Sequence, residues 1–247
     1  MKGITMKRIF VIFLLLLLAG CRKQEIQEVA LTTDAPATVW TEVPTVPPVT
    51  QPETLPTDPP VPESDEVFVR VLDYIPTALQ DLRYATGDNF TGQVIYSFQD
   101  AYLRYGTVRK LKMVSEDLAE LGLYLKIWDG FRPVSAQFAL WEVCPDPTYV
   151  ANPNTGFSSH SRGNTVDLTL VDADGREIEM PTGFDDFSSR ADRDYSDCTA
   201  SAANNAQLLE ILMEKHGFVG YAGEWWHFSD STSYPVESVF EPAGNSG

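Results

Sequence analysis

Proline placement limits what this chain can fold into more than any other feature. Of 17 prolines in 247 residues, nine fall between Pro36 and Pro62. Proline removes backbone donors and holds φ near one value, so this stretch favours extended polyproline conformation over helix or sheet. It is also rich in Thr and Val and has no helical or strand periodicity. Residues 21–65 therefore read as a disordered tether, and a packed domain has to come from residues 66–240, where Tyr, Trp and Phe concentrate. About 175 residues are enough to bury one core. Residues 241–247 are left as a flexible tail.

The segment before the tether differs in kind. Lys2, Lys7 and Arg8 precede an unbroken apolar run from Ile9 to Leu18. That run is too short to cross a hydrocarbon core of roughly 30 Å, but it suits the apolar region of an export signal. It ends in Leu18-Ala19-Gly20-Cys21, which resembles the lipobox of bacterial lipoproteins. The resemblance implies removal of residues 1–20, diacylation of Cys21, and a protein anchored by lipid to the cell membrane on its extracytoplasmic side. Two acyl chains on one residue give stable anchoring.

A net charge of −17 argues against a nucleic-acid partner, because sequence-independent binding needs a basic surface. Three cysteines are too few for a disulfide scaffold or a site with four thiolate ligands. With Cys21 assigned to lipid, Cys144 and Cys198 remain, and outside the membrane a disulfide between them is an open option. Three histidines mean that a metal centre must use most of them or borrow carboxylates.

Within residues 66–240 helical and strand patterns alternate. Leu103, Val108, Leu111, Val114, Leu118 and Leu121 recur at helical spacing from Asp100 to Leu121, and Gly122 is a stop. Leu123 to Trp128 alternates like a strand, Val134 to Val143 looks helical after Pro133, and Thr165 to Val171 is a strand. Asp174-Gly175 marks a hairpin turn toward Ile178 and Met180. Ala200 to Lys215 reads as a second long helix, and Phe218 to Phe228 as a strand broken by glycines. Short strands, hairpins and helices in this order predict an α+β fold.

Two short segments hold two of the three histidines: Ser158-Ser159-His160-Ser161-Arg162-Gly163-Asn164-Thr165-Val166-Asp167 and Glu224-Trp225-Trp226-His227. Two His and one Asp with an open fourth position suit a catalytic zinc site. A loop feeding a strand can fold the His160 imidazole over the carboxylate seven residues on, and His227 would supply the third ligand from a distant strand. A bend at Glu224 would bring its carboxylate beside the metal, where a general base belongs. Taken singly, each of these residues has a plainer use: Asp167 can pair with Arg162, and the Trp-Trp pair can be core. His216, before Gly217 at a helix end, fits the helix dipole better than a metal.

The first segment resembles the Ser-x-His-x-x-Gly-x-x-x-Asp motif of zinc D,D-peptidases, and the second their Glu-x-Trp-His motif. The branch formed by D-alanyl-D-alanine dipeptidases of the VanX type agrees further. Tyr84-Ala85-Thr86-Gly87-Asp88-Asn89-Phe90-Thr91-Gly92 and Trp128-Asp129-Gly130-Phe131-Arg132-Pro133 are similar to segments of that branch, with Phe131 standing where it has Tyr. The likeness runs from about Leu72 to Tyr234.

The resemblance implies a single zinc peptidase domain of the D,D-peptidase or hedgehog-like type, with mixed helices around a small antiparallel sheet. It implies one Zn2+ per chain on His160, Asp167 and His227, Glu224 as catalytic base and Arg132 as oxyanion stabiliser. Tyr84 and Asp185 would receive the ammonium of a small dipeptide, and Ser158 or Ser159 would hold substrate near the metal. The implied reaction is hydrolysis of D-Ala-D-Ala to D-alanine by a metal-activated water. A carboxypeptidase trimming peptidoglycan stem peptides, and a non-catalytic lipoprotein that binds wall peptides, are the alternatives.

Overall fold

Val166, Leu168 and Leu170 alternate with Thr165, Asp167 and Thr169, and every one of these side chains is buried. A strand can be buried on both faces only when strands flank it and other structure covers it above and below. The computed structural model, which describes residues 59–244, is built around that strand. In chain order the elements are β1 (Phe68–Arg70), α1 (Val71–Tyr74), β2 (Leu79–Gln80), β3 (Tyr102–Arg104), α2 (Tyr105–Glu120), β4 (Tyr124–Asp129) and α3 (Val134–Val143). They continue with β5 (Thr165–Val171), α4 (Ala200–Lys215), β6 (Phe218–Tyr221) and β7 (Glu224–Asp230).

The main sheet has the order β2-β4-β5-β7-β6, and β1 pairs with β3 in a separate ribbon. Val166, Leu168 and Leu170 share one core with Leu125 and Ile127 of β4 and with the apolar stripes of α2 and α4, among them Val108, Leu111, Leu209 and Met213. The opposite face of β5 carries Thr165, Asp167 and Thr169. One face of the sheet is therefore core, and the other presents polar side chains under a cover of loops.

The α+β expectation holds, with corrections of detail. The sheet is mixed, because β2 runs parallel to β4. Two residues are too few to show periodicity in a sequence. The helix expected from Asp100 starts at Tyr105: Leu103 fits the helical spacing but lies in β3, where it pairs with Val69. The hairpin after Asp174 amounts to a turn and a single bridge, Val171 to Glu177. The last expected strand is two, β6 and β7, joined at Ala222-Gly223. Cys144 and Cys198, the candidate disulfide, are free thiols. Cys144 ends α3, and Cys198 donates within its own turn to the Tyr195 carbonyl at 3.5 Å. The signal at 1–20, Cys21 and the tether up to residue 58 lie outside the described residues. Residues 59–65, expected in the disordered tether, instead belong with the domain: Tyr74 OH donates to the Pro60 carbonyl at 2.8 Å, Gly106 N to the Asp65 carbonyl at 3.0 Å, and Arg109 pairs with Asp65 at 2.9 Å.

Candidate active site

Strand register assembles the centre of the site. Asp167 of β5 faces His227 of β7 directly, and on its other side Asp167 faces Asp129 of β4. Direct partners in a sheet point to the same face, so Asp129, Asp167 and His227 form a row on the polar face. Asp129 reaches that row through a bulge. Ile127 pairs with Leu168 and Asp129 with Asp167, so Trp128 is an extra residue on β4. The bulge turns Asp129 away from the core face that Leu125 and Ile127 share.

A larger irregularity acts on β7. Gly220 pairs with Phe228 and Tyr221 with Glu224, which leaves residues 225–227 without partners on β6. Strict alternation would put Glu224 and His227 on opposite faces. The irregularity brings Glu224 Oε2 to 3.6 Å from His227 Nδ1.

His160 arrives from the loop before β5, in a short 3-10 turn from Ser159 to Arg162. Ser158 Oγ caps that turn by accepting from His160 N at 3.3 Å. Gly163 closes it with φ of 74°, and a Cβ there would lie 2.3 Å from Phe68 Cε1. Only glycine tolerates both the left-handed backbone and the contact. His160 Nδ1 lies 2.8 Å from the Gly130 carbonyl. A carbonyl only accepts, so Nδ1 carries a proton, and Nε2 is the nitrogen left to meet Asp167 or a metal. That nitrogen sits 3.3 Å from Asp167 Oδ2.

The cluster crowds potential metal ligands around one carboxylate. Burial lowers the His160 pKa, but the Asp167 and Asp129 carboxylates more than offset this and raise it above the ordinary imidazole value, while buried Asp167 Oδ1 has no well-directed donor although His227 Nδ1 lies 2.9 Å away. The three ligand atoms lie within 4.8 Å of one another. A shared cation resolves this arrangement, and two His and one carboxylate are a donor set for zinc. Each histidine has a partner on its other nitrogen, Gly130 O for His160 and Ser159 Oγ at 3.4 Å for His227. Such contacts orient metal ligands.

Electrostatics follow from burial and crowding. Burial opposes ionisation of Asp167, yet His160 and His227 hold its carboxyl well below the usual range. Burial pushes Glu224 up, and the Asp167 carboxylate adds to that push, which moves it in the direction a general base needs near neutral pH.

Arg132 and Asp129 form a buried pair at 2.6 Å. Asp129 also accepts from Tyr96 OH at 2.7 Å and from Gly130 N at 2.9 Å. Arg132 Nη1 donates to Gln137 at 3.1 Å. Each terminal nitrogen of the guanidinium keeps a second N–H for other use. The ring of Tyr84 lies under the guanidinium at 4.9 Å.

Tyr84 OH donates to Asp185 Oδ2 at 2.9 Å. Asp185 has a φ of 54°, a left-handed backbone that Asp tolerates better than most residues and that marks local strain. Burial pushes its carboxyl up to about 8; Asp167 and Glu224 raise it while Tyr84 and Arg132 lower it. Around this end of the site Phe184 packs edge to face with Tyr84 and at a tilt against Trp128.

The expected residues thus come together as two groups, His160–Asp167–His227–Glu224 and Tyr84–Asp185, with Arg132 near both. Ser158 and Ser159 touch the His160 turn and the His227 ring. His216 pairs with Asp117 at 2.6 Å, apart from the site. Sequence reasoning passed over Asp129 as a functional group, because its position in the row depends on a bulge that no periodicity shows.

Residues 64–241 match the family model described as Peptidase M15, D-Ala-D-Ala dipeptidase. The D-alanyl-D-alanine dipeptidase of Escherichia coli strain K12 is 41% identical over 159 residues, which span 63% of this chain and 81% of that protein. The enzyme of the same name from Enterococcus faecalis is 34% identical over 168 residues, 60% of this chain and 83% of that protein. That from Enterococcus faecium is 33% identical over 184 residues, 66% and 91% respectively.

Proposed function

The chain belongs to the M15 D-Ala-D-Ala dipeptidase family, and on that premise we propose that it hydrolyses free D-Ala-D-Ala to D-alanine with one zinc ion per chain. His160, Asp167 and His227 hold the ion. Zinc bound there supplies Lewis acidity to the scissile carbonyl and to the attacking water. Glu224 takes the proton of the attacking water and returns it to the leaving amine. The spare N–H groups of Arg132 receive the negative charge that develops on the carbonyl oxygen. Asp129 keeps that guanidinium fixed and so lowers the reorganisation needed during reaction.

At the other end, Asp185 and Tyr84 receive the substrate ammonium. A half-buried carboxylate paired with a free amine loses its partner when the amine is acylated. This favours the free dipeptide over peptidoglycan stem peptides and so the dipeptidase over the carboxypeptidase reading.

The observation that carries the proposal is the row in which Asp167 faces His227, with His160 Nε2 turned onto the same carboxylate. Metal analysis and turnover test it together. One zinc per chain and release of D-alanine from D-Ala-D-Ala are expected, and a wild-type protein without zinc, or one inert toward the dipeptide, would overturn it.

The domain works on the extracytoplasmic side of a bacterial membrane. A signal at 1–20 is removed, Cys21 carries the lipid, the residues after it form a tether that reaches the peptidase domain at about residue 59, and the chain ends in a short tail. The apolar run followed by Leu18-Ala19-Gly20-Cys21 supports this placement. A Cys21→Ala protein that stayed in the membrane fraction would contradict it.

A further inference from the structure

The β6–β7 irregularity that carries Glu224 and His227 leaves main-chain carbonyls without sheet partners, and buried carbonyls need donors. One side chain supplies them. Arg193 Nε donates to the Tyr221 carbonyl at 2.9 Å, and Nη2 donates to the carbonyls of Trp225 and His227, each at 3.0 Å. The backbone N–H of Arg193 adds a fourth bond, to Ala222 O at 3.1 Å. The two carbonyls shared by Nη2 belong to residues two apart in a strand and so point the same way.

The guanidinium is itself fixed. Its side chain is 9% exposed, with Nη1 lying 3.4 Å from Glu210 Oε1 on α4. Its Cζ lies 4.3 Å above the Phe228 ring. Glu210 also accepts from Tyr195 OH at 2.8 Å, which ties the Arg193 loop to the same helix. On the strand side the fit requires a glycine, since a Cβ on Gly220 would come within 2.4 Å of Arg193 Cζ.

We infer that Arg193 is a positioning residue for the reaction: by clamping the carbonyls on both sides of Trp226, it holds the bend that sets Glu224 and His227 on one face. This rests on the roles proposed above for those two residues. The guanidinium suits the task because its planar fork serves several acceptors at once, whereas an ammonium is a compact point charge. Arg193 touches neither the candidate ligand atoms nor the Glu224 carboxylate, so its effect passes through the backbone.

The test uses full-length, zinc-loaded protein with Arg193→Gln, Arg193→Lys, Gly220→Ala and Glu224→Gln. Gly220→Ala displaces the guanidinium without removing it and carries the test if Arg193→Gln does not fold. For Arg193→Gln the expectation is a fall in kcat of about tenfold or more and a weakening of zinc affinity, read by chelator competition, of about 10–100-fold. KM should change less than kcat, because Tyr84 and Asp185 lie on other segments. Lys should restore part of both losses, and Gly220→Ala should reproduce them in weaker form.

The inference is overturned if Arg193→Gln and Gly220→Ala fold and keep kcat and zinc affinity within twofold of wild type while Glu224→Gln is inactive. It is overturned equally if their losses vanish once rates are corrected for the folded fraction. Full activity of Glu224→Gln would instead refute the proposed roles beneath it.

Discussion

Asp129→Asn is the most telling single change to the scaffold. Asp129 is fully buried and holds the guanidinium of Arg132, itself 9% exposed, through contacts at 2.6 and 3.2 Å. Removing one partner of a buried ion pair leaves an uncompensated charge and costs about 3–5 kcal/mol. Asparagine is isosteric, and its oxygen can still accept from Tyr96 OH and Gly130 N. The loss should therefore sit near the lower end, about 3 kcal/mol, which a domain of ordinary stability survives. With a urea slope of about 2 kcal/mol per molar, the midpoint falls by about 1.5 M. Urea unfolding followed by fluorescence reads this directly. Combining it with Arg132→Gln closes a double-mutant cycle, and the pair should show a coupling of about 2 kcal/mol. A midpoint within about 0.25 M of wild type, or additive effects in the cycle, would refute the claim that Asp129 fixes Arg132 by charge.

Glu224→Gln should retain zinc while kcat falls by about 10²–10⁴-fold; turnover within tenfold of wild type would remove Glu224 as the base. Asp185→Asn should raise KM for the dipeptide by about 10–100-fold, the loss of one charged hydrogen bond. Asp185 must be ionised to pair with the ammonium, and its carboxyl is pushed up to about 8 in the metal-free site. As pH falls below that value the protonated form gains, so kcat/KM should fall with it, on a limb moved lower by the charge of bound zinc. Tyr84→Phe should shift that limb upward, because the Tyr84 hydrogen bond lowers the Asp185 pKa; an unchanged limb in both variants would assign it elsewhere. His160→Ala should abolish zinc binding in equilibrium dialysis, and retention of one zinc per chain would exclude His160 as a ligand.

The elements that sequence reasoning recovered are those with long, regular patterns. β5 and α4 have the bounds that their periodicities indicate, and α3 begins after Pro133 as expected. His160, Asp167, Glu224 and His227 were legible because a loop-to-strand spacing and a short Glu-x-x-His segment each carry a chemical reason. What stayed hidden depends on broken patterns. Leu103 matches a helical stripe but pairs in β3, since a β-ribbon contact overrides local spacing. Asp129 joins the Asp167 row only because Trp128 bulges. Arg193 had no signal at all, because its partners are carbonyls and side-chain patterns do not record them.

Initial rates of zinc-loaded protein on free D-Ala-D-Ala and on N-acetyl-D-Ala-D-Ala test the central claim most directly. Acetylation removes the ammonium and leaves Asp185 without its partner, which should lower kcat/KM by roughly 100-fold or more. Equal or faster hydrolysis of the acetylated substrate would contradict the account and make the chain a carboxypeptidase.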